Sequence, residues 1–320
     1  DELQKNIVMQ IQMINRLQKG IENEEFTLYY QPEYNLKTDE IIGVEALVRW
    51  PQPMNGFISP DIFIPIAERS KQIYLLERWI INKALQQKEQ WEREGFGHIE
   101  FSINLSSKTL ENESNFQKIE EIIASYNVNY SQIVFEITET EVIAQVNIAI
   151  ERLNRLRRFG IKIALDDFGT GYSSLNYLRR YPVNSIKIDK CFVQDISNID
   201  SKSSSLVSTI VAMSHVLHMS VIAEGVETKE QFDMVRKNSC DEIQGYVFSP
   251  PVSAEEIEVL LRNSQQFQNK IRAIDSGISS IVTAESFEEQ YNQDIIEAAL
   301  ARIKNVYSIT AQEMDVFRLI

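Results

Sequence analysis

From residue 98 to residue 263 the chain repeats one pattern: a short run of β-forming apolar residues, a polar turn, then a helical stretch. The runs predict strands at 98–105, 132–137, 161–166, 185–188, 220–223 and 241–243. The segments between them predict helices near 115–126, 142–158, 173–179 and 202–217, another from Lys229, and a last one at 254–263. Strands separated by helices run parallel, because each helix carries the chain back to the start of the next strand. Two more strands precede the repeat. Phe26–Gln31 is rich in β-formers and is expected to end at Pro32, and Ile41–Arg49 follows after the turn residues Asn35–Glu40. So short a connection makes these two an antiparallel hairpin. Eight strands in a domain of roughly 250 residues predict an α/β fold, a modified (β/α)8 TIM-type barrel with one antiparallel strand. An open doubly wound sheet is the competing arrangement, but no Gly-x-Gly-x-x-Gly follows the first strand.

The flanks read differently. Residues 1–24 form an amphipathic linker helix, with Ile7, Ile11, Ile14, Leu17 and Ile21 at spacings of three and four. It either packs on the barrel or carries a signal from a domain upstream; the chain opens on Asp1 rather than Met, as a piece of a longer protein would. After Arg49, a loop at Pro51, Pro53, Asn55 and Gly56 leads to helices near 60–68 and 72–94, the second with Ile73, Leu76, Ile80 and Ala84 on one side. Residues 265–320 leave the rhythm and read as a helical C-terminal extension, through Phe287, Tyr291, Ile295, Leu300 and Ile303 after a Ser/Gly loop at 276–280. Its end, 309–320, faintly resembles the first helix of a LuxR-type helix-turn-helix, but the chain stops before any recognition helix. The extension holds five basic and eight acidic residues, so no DNA binding is expected of it. The expected division is 1–24, 25–264 and 265–320.

The strand ends carry the chemistry. They hold Glu45, Asn104, Glu136, Asp166 with Asp167, Lys187 with Asp189, Glu224 and Gln244. In a barrel these all face the carboxyl-end mouth, where barrel enzymes keep their active sites. One such residue alone is ordinary; one on nearly every strand is a constellation. Asp166 and Asp167 would point to opposite faces of a regular strand, but at a strand end both can turn toward one point. A glycine-flanked loop, Phe168-Gly169-Thr170-Gly171, follows them. The donors are oxygens, and His98, His215 and His218 lie away from the strand ends, which excludes a Ser-His-Asp arrangement and favours Mg²⁺ or Mn²⁺ over zinc. So many carboxylates exceed the needs of one ion. Two ions about 3.5–4 Å apart, with one carboxylate bridging, suit phosphoester hydrolysis. Lys187 could then steady the attacking hydroxide or the charge building on phosphorus, and Arg49 could clamp a phosphate.

Net charge sets the context. At −14, with pI about 4.9, the chain does not attract nucleic acid broadly, and divalent ions would make the mouth locally positive for a small anionic phosphoester. Cys191 and Cys240 have no metal-like spacing and indicate no disulfide framework. No apolar run has transmembrane length and no signal-peptide pattern opens the chain, so a cytoplasmic location is expected.

Taken together the motifs resemble those of the EAL-domain family of cyclic di-GMP phosphodiesterases. They are Tyr30-Gln31-Pro32, Glu45-Ala46-Leu47-Val48-Arg49-Trp50, Asn104-Leu105-Ser106, Glu136-Ile137-Thr138-Glu139, the run Asp166 to Leu175, Lys187-Ile188-Asp189, Glu224-Gly225-Val226-Glu227 and Gln244-Gly245-Tyr246. They span about residues 20–265 in family order. The resemblance implies hydrolysis of cyclic di-GMP to linear pGpG through a water activated by two metal ions. Carried over, Glu45, Asn104, Glu136, Asp166 and Asp167 are the metal ligands, with Asp166 bridging. Lys187 and Glu224 hold or deprotonate the attacking water. Gln31, Leu47, Arg49, Gln244 and Tyr246 contact substrate, and Glu139, Glu227 and Asp189 support the ligands and the loop after Asp167. Ca²⁺ is expected to inhibit. The resemblance also implies a homodimer through the loop and helix after Asp167, and an upstream sensor or diguanylate cyclase-like domain. The alternative is a cyclic di-GMP receptor with little turnover; none of the family's ligands is missing here.

Overall fold

The computed structural model describes residues 2–52, 56–139, 146–170, 178–194 and 202–263, the side chains of residues 2–10 and 202–204 excepted. In chain order the first elements are α1 (Glu2–Glu22), β1 (Thr27–Asn35), β2 (Glu40–Pro51), β3 (Phe57–Ile58), α2 (Pro60–Ser70) and α3 (Ile73–Arg93). Then come β4 (Glu100–Asn104), α4 (Ser107–Glu111), α5 (Glu113–Ala124), β5 (Ile133–Thr138), α6 (Val146–Arg158) and β6 (Lys162–Phe168). The remainder are β7 (Ser185–Ile188), α7 (Lys190–Gln194), α8 (Lys202–Val216), β8 (Ser220–Ala223), α9 (Lys229–Lys237), β9 (Glu242–Ile243) and α10 (Ala254–Arg262).

Eight strands close into a ring. β2, β4, β5, β6, β7, β8 and β9 run parallel in that order, and β1 closes the gap antiparallel to both β2 and β9. β3 adds a two-residue edge to β2. The expected barrel with one antiparallel strand is what forms.

Strand alternation separates two environments. Phe101, Ile103, Phe135, Ile137, Ile163 and Ile186 face outward and are fully covered by the helices. The alternate set faces the barrel axis and is polar near its upper end. A helix-covered barrel needs apolar residues on its outer face, and this leaves the inner face free for chemistry. On α3, Ile73, Leu76, Ile80 and Ala84 are all buried, as the periodicity predicts. α1 packs through fully buried Leu17; Gln72 Nε2 donates to Ile14 O, and Arg16 sits 5.3 Å over the Trp50 ring. Ile11, expected on the same stripe, is 53% exposed.

The chain departs from the sequence expectation at several points. Pro32 does not end β1, which runs on to Asn35. Tyr30 exchanges backbone hydrogen bonds with Val252, so its N–H faces away from β2. The Pro32 nitrogen, two residues on, lies on that same edge, and its missing N–H removes nothing from the β1–β2 ladder. β6 extends past 166 to Phe168, with an irregularity between Leu165 and Phe168. β3, α4 and α7 were not expected. They are two to five residues long, too short for a hydrophobic period to register. The helix expected at 173–179 falls largely outside the described residues, and the C-terminal extension from 265 falls wholly outside them.

Candidate active site

Register brings the strand-end residues to one level. Gln31 stands opposite Glu45, Asn104 beside Glu136, and Thr138 beside Asp166. Lys187 rises from β7 into the middle of this layer and is fully buried. Its Nζ lies 3.0 Å from Glu45 Oε2, 2.9 and 3.0 Å from the two Glu136 oxygens, and 2.8 Å from Glu224 Oε1. Glu45 also accepts from Asn104 Nδ2 at 2.6 Å and from Gln244 Nε2 at 2.8 Å. Gln244 donates to Gln31 Oε1 as well, and Gln31 donates to Ser249 O. One hydrogen-bonded net therefore joins Gln31, Glu45, Asn104, Glu136, Lys187, Glu224 and Gln244. Gly245 makes the last approach possible. A Cβ there would lie 2.1 Å from Val226 O, so only glycine lets the 244–246 turn pass that backbone.

Asp166 and Asp167 reach one point because the strand breaks its alternation. Asp167 has φ 54°, a left-handed conformation that a strand residue does not normally adopt. Its N–H donates to Asp166 Oδ1 at 2.8 Å. With the backbone turned in this way, carboxylate oxygens of Asp166, Asp167 and Glu224 all lie within 4.8 Å of one another. Behind them, Glu139 Oε2 accepts from Gly169 N at 2.7 Å and ties the loop to the end of β5. Asp189 accepts from Cys191 N and interacts with Asp167.

Electrostatics follow from this crowding. Burial works to discharge Lys187, but Glu136, Glu224, Glu45 and Asp166 outweigh it and hold the ammonium well above its ordinary range. Burial likewise opposes Glu45, yet Lys187, Gln244 and Asn104 keep its carboxylate below the ordinary value. The other acids are not so well served. Burial, then neighbouring Glu45, raises Glu136; burial raises Asp166; burial and Asp166 push Asp167 up to about 6; burial pushes Glu224 up to about 8 against the pull of Lys187.

The rim is more open. Leu47 and Arg49 continue the inward set of β2 and are half-buried, and Tyr246 is 50% exposed. Arg49 Nη1 donates to Val48 O. Glu227 lies exposed on the loop after Glu224, outside the net around Lys187.

One buried residue escaped the sequence reading. Glu33, two residues beyond Gln31 on the same face, is 3% exposed and accepts from Ser102 Oγ at 3.3 Å. It occupies the space opposite Gly43, where a Cβ would meet Glu33 Oε2 at 2.5 Å. Burial pushes its carboxyl up to about 8. Period-two alternation would have found it, had the strand not been expected to stop at Pro32.

The residues present fit divalent cations. Every donor is a hard oxygen. Glu45, Glu136, Asp166, Asp167 and Glu224 supply five negative charges against the one positive charge of Lys187, an excess of four, which two divalent ions would balance. The raised carboxyls mark where that compensation is missing.

A family model described as EAL domain matches residues 14–251. The chain is 32% identical over 252 residues to the bifunctional diguanylate cyclase/cyclic di-GMP phosphodiesterase MucR of Pseudomonas aeruginosa, covering 79% of this chain and 37% of that protein. It is 35% identical over 257 residues to the cyclic di-GMP phosphodiesterase PdeR of Escherichia coli, covering 80% and 38%. The chain thus spans less than half the length of these curated relatives. Among solved structures, the PaMucR phosphodiesterase in its c-di-GMP complex superposes with a TM-score of 0.73 at 32% identity, over 77% of this chain and 99% of that one.

Proposed function

The chain belongs to the EAL domain family, and on that premise we propose that it is a metal-dependent phosphodiesterase that hydrolyses cyclic di-GMP to linear pGpG. The observation that carries the proposal is Lys187, bonded at once to Glu45, Glu136 and Glu224 beside the Asp166–Asp167–Glu224 triad in the barrel mouth. Glu45, Asn104, Glu136, Asp166 and Asp167 would hold two Mg²⁺ or Mn²⁺ ions. Bound there, the ions supply Lewis-acid polarisation and charge neutralisation.

This chain's own residues do the rest. Lys187, kept charged, offsets negative charge developing at phosphorus and orients the water that attacks it. Glu224, 2.8 Å from Lys187 and beside Asp166 and Asp167, is placed to take and return a proton. The new bond is water oxygen to phosphorus, the broken bond is phosphorus to the ribose 3′-oxygen, and the water's proton ends on that leaving oxygen. Arg49 and Tyr246 at the rim, with Gln31, Leu47 and Gln244 lining the wall, hold the nucleotide. Glu139 and Asp189 brace the Asp167 loop, and Glu227 lies on the separate loop after Glu224.

A homodimer through the segment after Asp167, and a sensory or diguanylate cyclase-like domain upstream, belong to the same proposal. The Pseudomonas relative, a bifunctional diguanylate cyclase/cyclic di-GMP phosphodiesterase of which this chain covers 37%, supports the second. No helix among the described residues is long and apolar enough to cross a membrane.

The test is incubation of the chain with cyclic di-GMP and Mg²⁺, with products identified by chromatography and mass. Formation of pGpG that stops on chelation and resumes with Mg²⁺ or Mn²⁺ is expected, and Ca²⁺ should allow binding without turnover. Binding with no pGpG in any divalent ion would overturn the hydrolase reading and leave the receptor.

A further inference from the structure

β3 has only two residues, and its register decides where Phe57 points. Phe57 stands opposite Pro51, and Ile58 opposite Trp50. Directly opposed residues share a face of the sheet. Along β2 the inward set is Glu45, Leu47, Arg49 and Pro51, whereas Trp50 belongs to the outward set and is fully buried, its ring against Phe26 and Phe63. Phe57 therefore lies on the face that carries Glu45 and rises out of the barrel mouth. Tyr29 of β1 stands opposite Leu47 and lies on that face too. The two rings meet edge to face, with centroids 5.3 Å apart and planes at 75°. Phe57 nonetheless keeps 45% of its surface exposed.

Its neighbourhood is that of the site. Burial lowers the Arg49 guanidinium, and Tyr246, Glu45 and Tyr29 act against that lowering, which places these groups around Arg49. Tyr29 stands two residues, roughly 7 Å, along the strand from the level of Glu45. The Phe57 ring leans on it from beyond. An aromatic surface at that remove from the carboxylates is offset from them on the scale of a nucleotide's reach from phosphate to base. A ring already held by a neighbouring ring loses little freedom when a second planar group settles on it.

We propose that Phe57, braced by Tyr29, is the stacking platform for a purine base of the dinucleotide whose phosphate lies at the carboxylates, and that it sets affinity for the base, not the rate of cleavage. This rests on the function proposed above. Base stacking on an aromatic side chain tolerates any purine and is worth about 5- to 150-fold in binding when the side chain is cut to alanine. A rim position exposed to water belongs near the lower end.

The test uses the full 320-residue chain with Phe57→Ala, Phe57→Leu and Phe57→Trp, measuring KM and kcat for cyclic di-GMP in Mg²⁺ and Tm for each variant. Alanine and leucine are expected to raise KM about tenfold with kcat within about twofold, and tryptophan to keep or lower KM. Tm should move little, because the side chain is half out of the core. Wild-type KM in Phe57→Leu would overturn the proposal, since leucine fills the space without a π-face. So would a KM unchanged in Phe57→Ala, or a fall in kcat alone. If the alanine variant fails to fold, the leucine and tryptophan pair decides. If wild type cleaves and the variants match it, only the Phe57 assignment fails. If wild type does not cleave, the hydrolase reading fails, and equilibrium binding of cyclic di-GMP to wild type and Phe57→Leu then decides this proposal: equal affinities, or no binding at all, would overturn it.

Discussion

Lys187→Met is the substitution that tests the electrostatic account of the site most directly. Methionine keeps the length and apolar stem of lysine but removes the one cation among Glu45, Glu136 and Glu224. All three contacts are 3.0 Å or shorter, and Lys187 is wholly buried. Removing one partner of a buried ion pair leaves the other charge uncompensated and costs about 3–5 kcal/mol. The metal-free variant should lose stability of that order at about pH 7.5. The loss should depend on pH in a determined direction. Without the ammonium, Glu136 and Glu224 rise further above their unfolded value and Glu45 loses the main pull that holds it below, so the folded state binds more protons than the unfolded state from about pH 4.5 upward. Stability of the variant then falls as pH rises through that window, and its difference from wild type narrows toward about pH 5. The ammonium of wild type loses its proton only far above this range, so it adds no slope here. Mg²⁺ should recover part of the loss, about 2.7 kcal/mol at a concentration 100 times its dissociation constant. Urea unfolding followed by circular dichroism, at about pH 5 and 7.5 with and without Mg²⁺, reads all three effects, and turnover should be lost throughout. A destabilisation below about 1 kcal/mol at pH 7.5, or one of equal size at both pH values, would refute the reasoning.

Glu33→Gln should flatten the pH dependence of stability. The Glu33 carboxyl is pushed up to about 8, so the folded wild type holds this proton and loses stability as pH rises from about 4.5 to 8; the amide should gain on the order of 3 kcal/mol over wild type between about pH 4 and pH 7, read from unfolding curves, and parallel curves would sink the idea. Glu45→Ala should abolish pGpG formation, because Glu45 links Asn104, Lys187 and Gln244; retained turnover removes it from the site. Gly245→Ala forces a Cβ against the Val226 backbone, and should cost about 1–3 kcal/mol and raise KM by displacing Gln244 and Tyr246; an unchanged KM would show that the 244–246 turn does not hold substrate.

The alternation of strand and helix was legible because each strand buries its outward residues under a helix. Ile163 with Leu165, and Ile186 with Ile188, carry that signature at alternate positions of their strands. The convergence of Glu45, Asn104, Glu136, Lys187 and Glu224 followed from it, since parallel strands of one barrel end on one face. Glu33 and the length of β1 were not legible. Whether a proline ends a strand depends on which edge its nitrogen faces, and Val252, 220 residues away in the chain, decides that edge. Phe57 was equally hidden. A two-residue strand shows no period, and the side it presents is set by its pairing with Pro51.

By itself, then, the sequence determined the barrel and the set of groups at its mouth, because burial and crossover geometry act through local periodicity. Only the tertiary structure decided what those groups do to one another. Lys187 meets Glu45 across 142 residues, Glu45 stays ionised while Glu224 is pushed to about 8, and Asp167 turns to φ 54° so that two adjacent carboxylates share one point. Those are properties of distance and desolvation, and both exist only once the ring has closed.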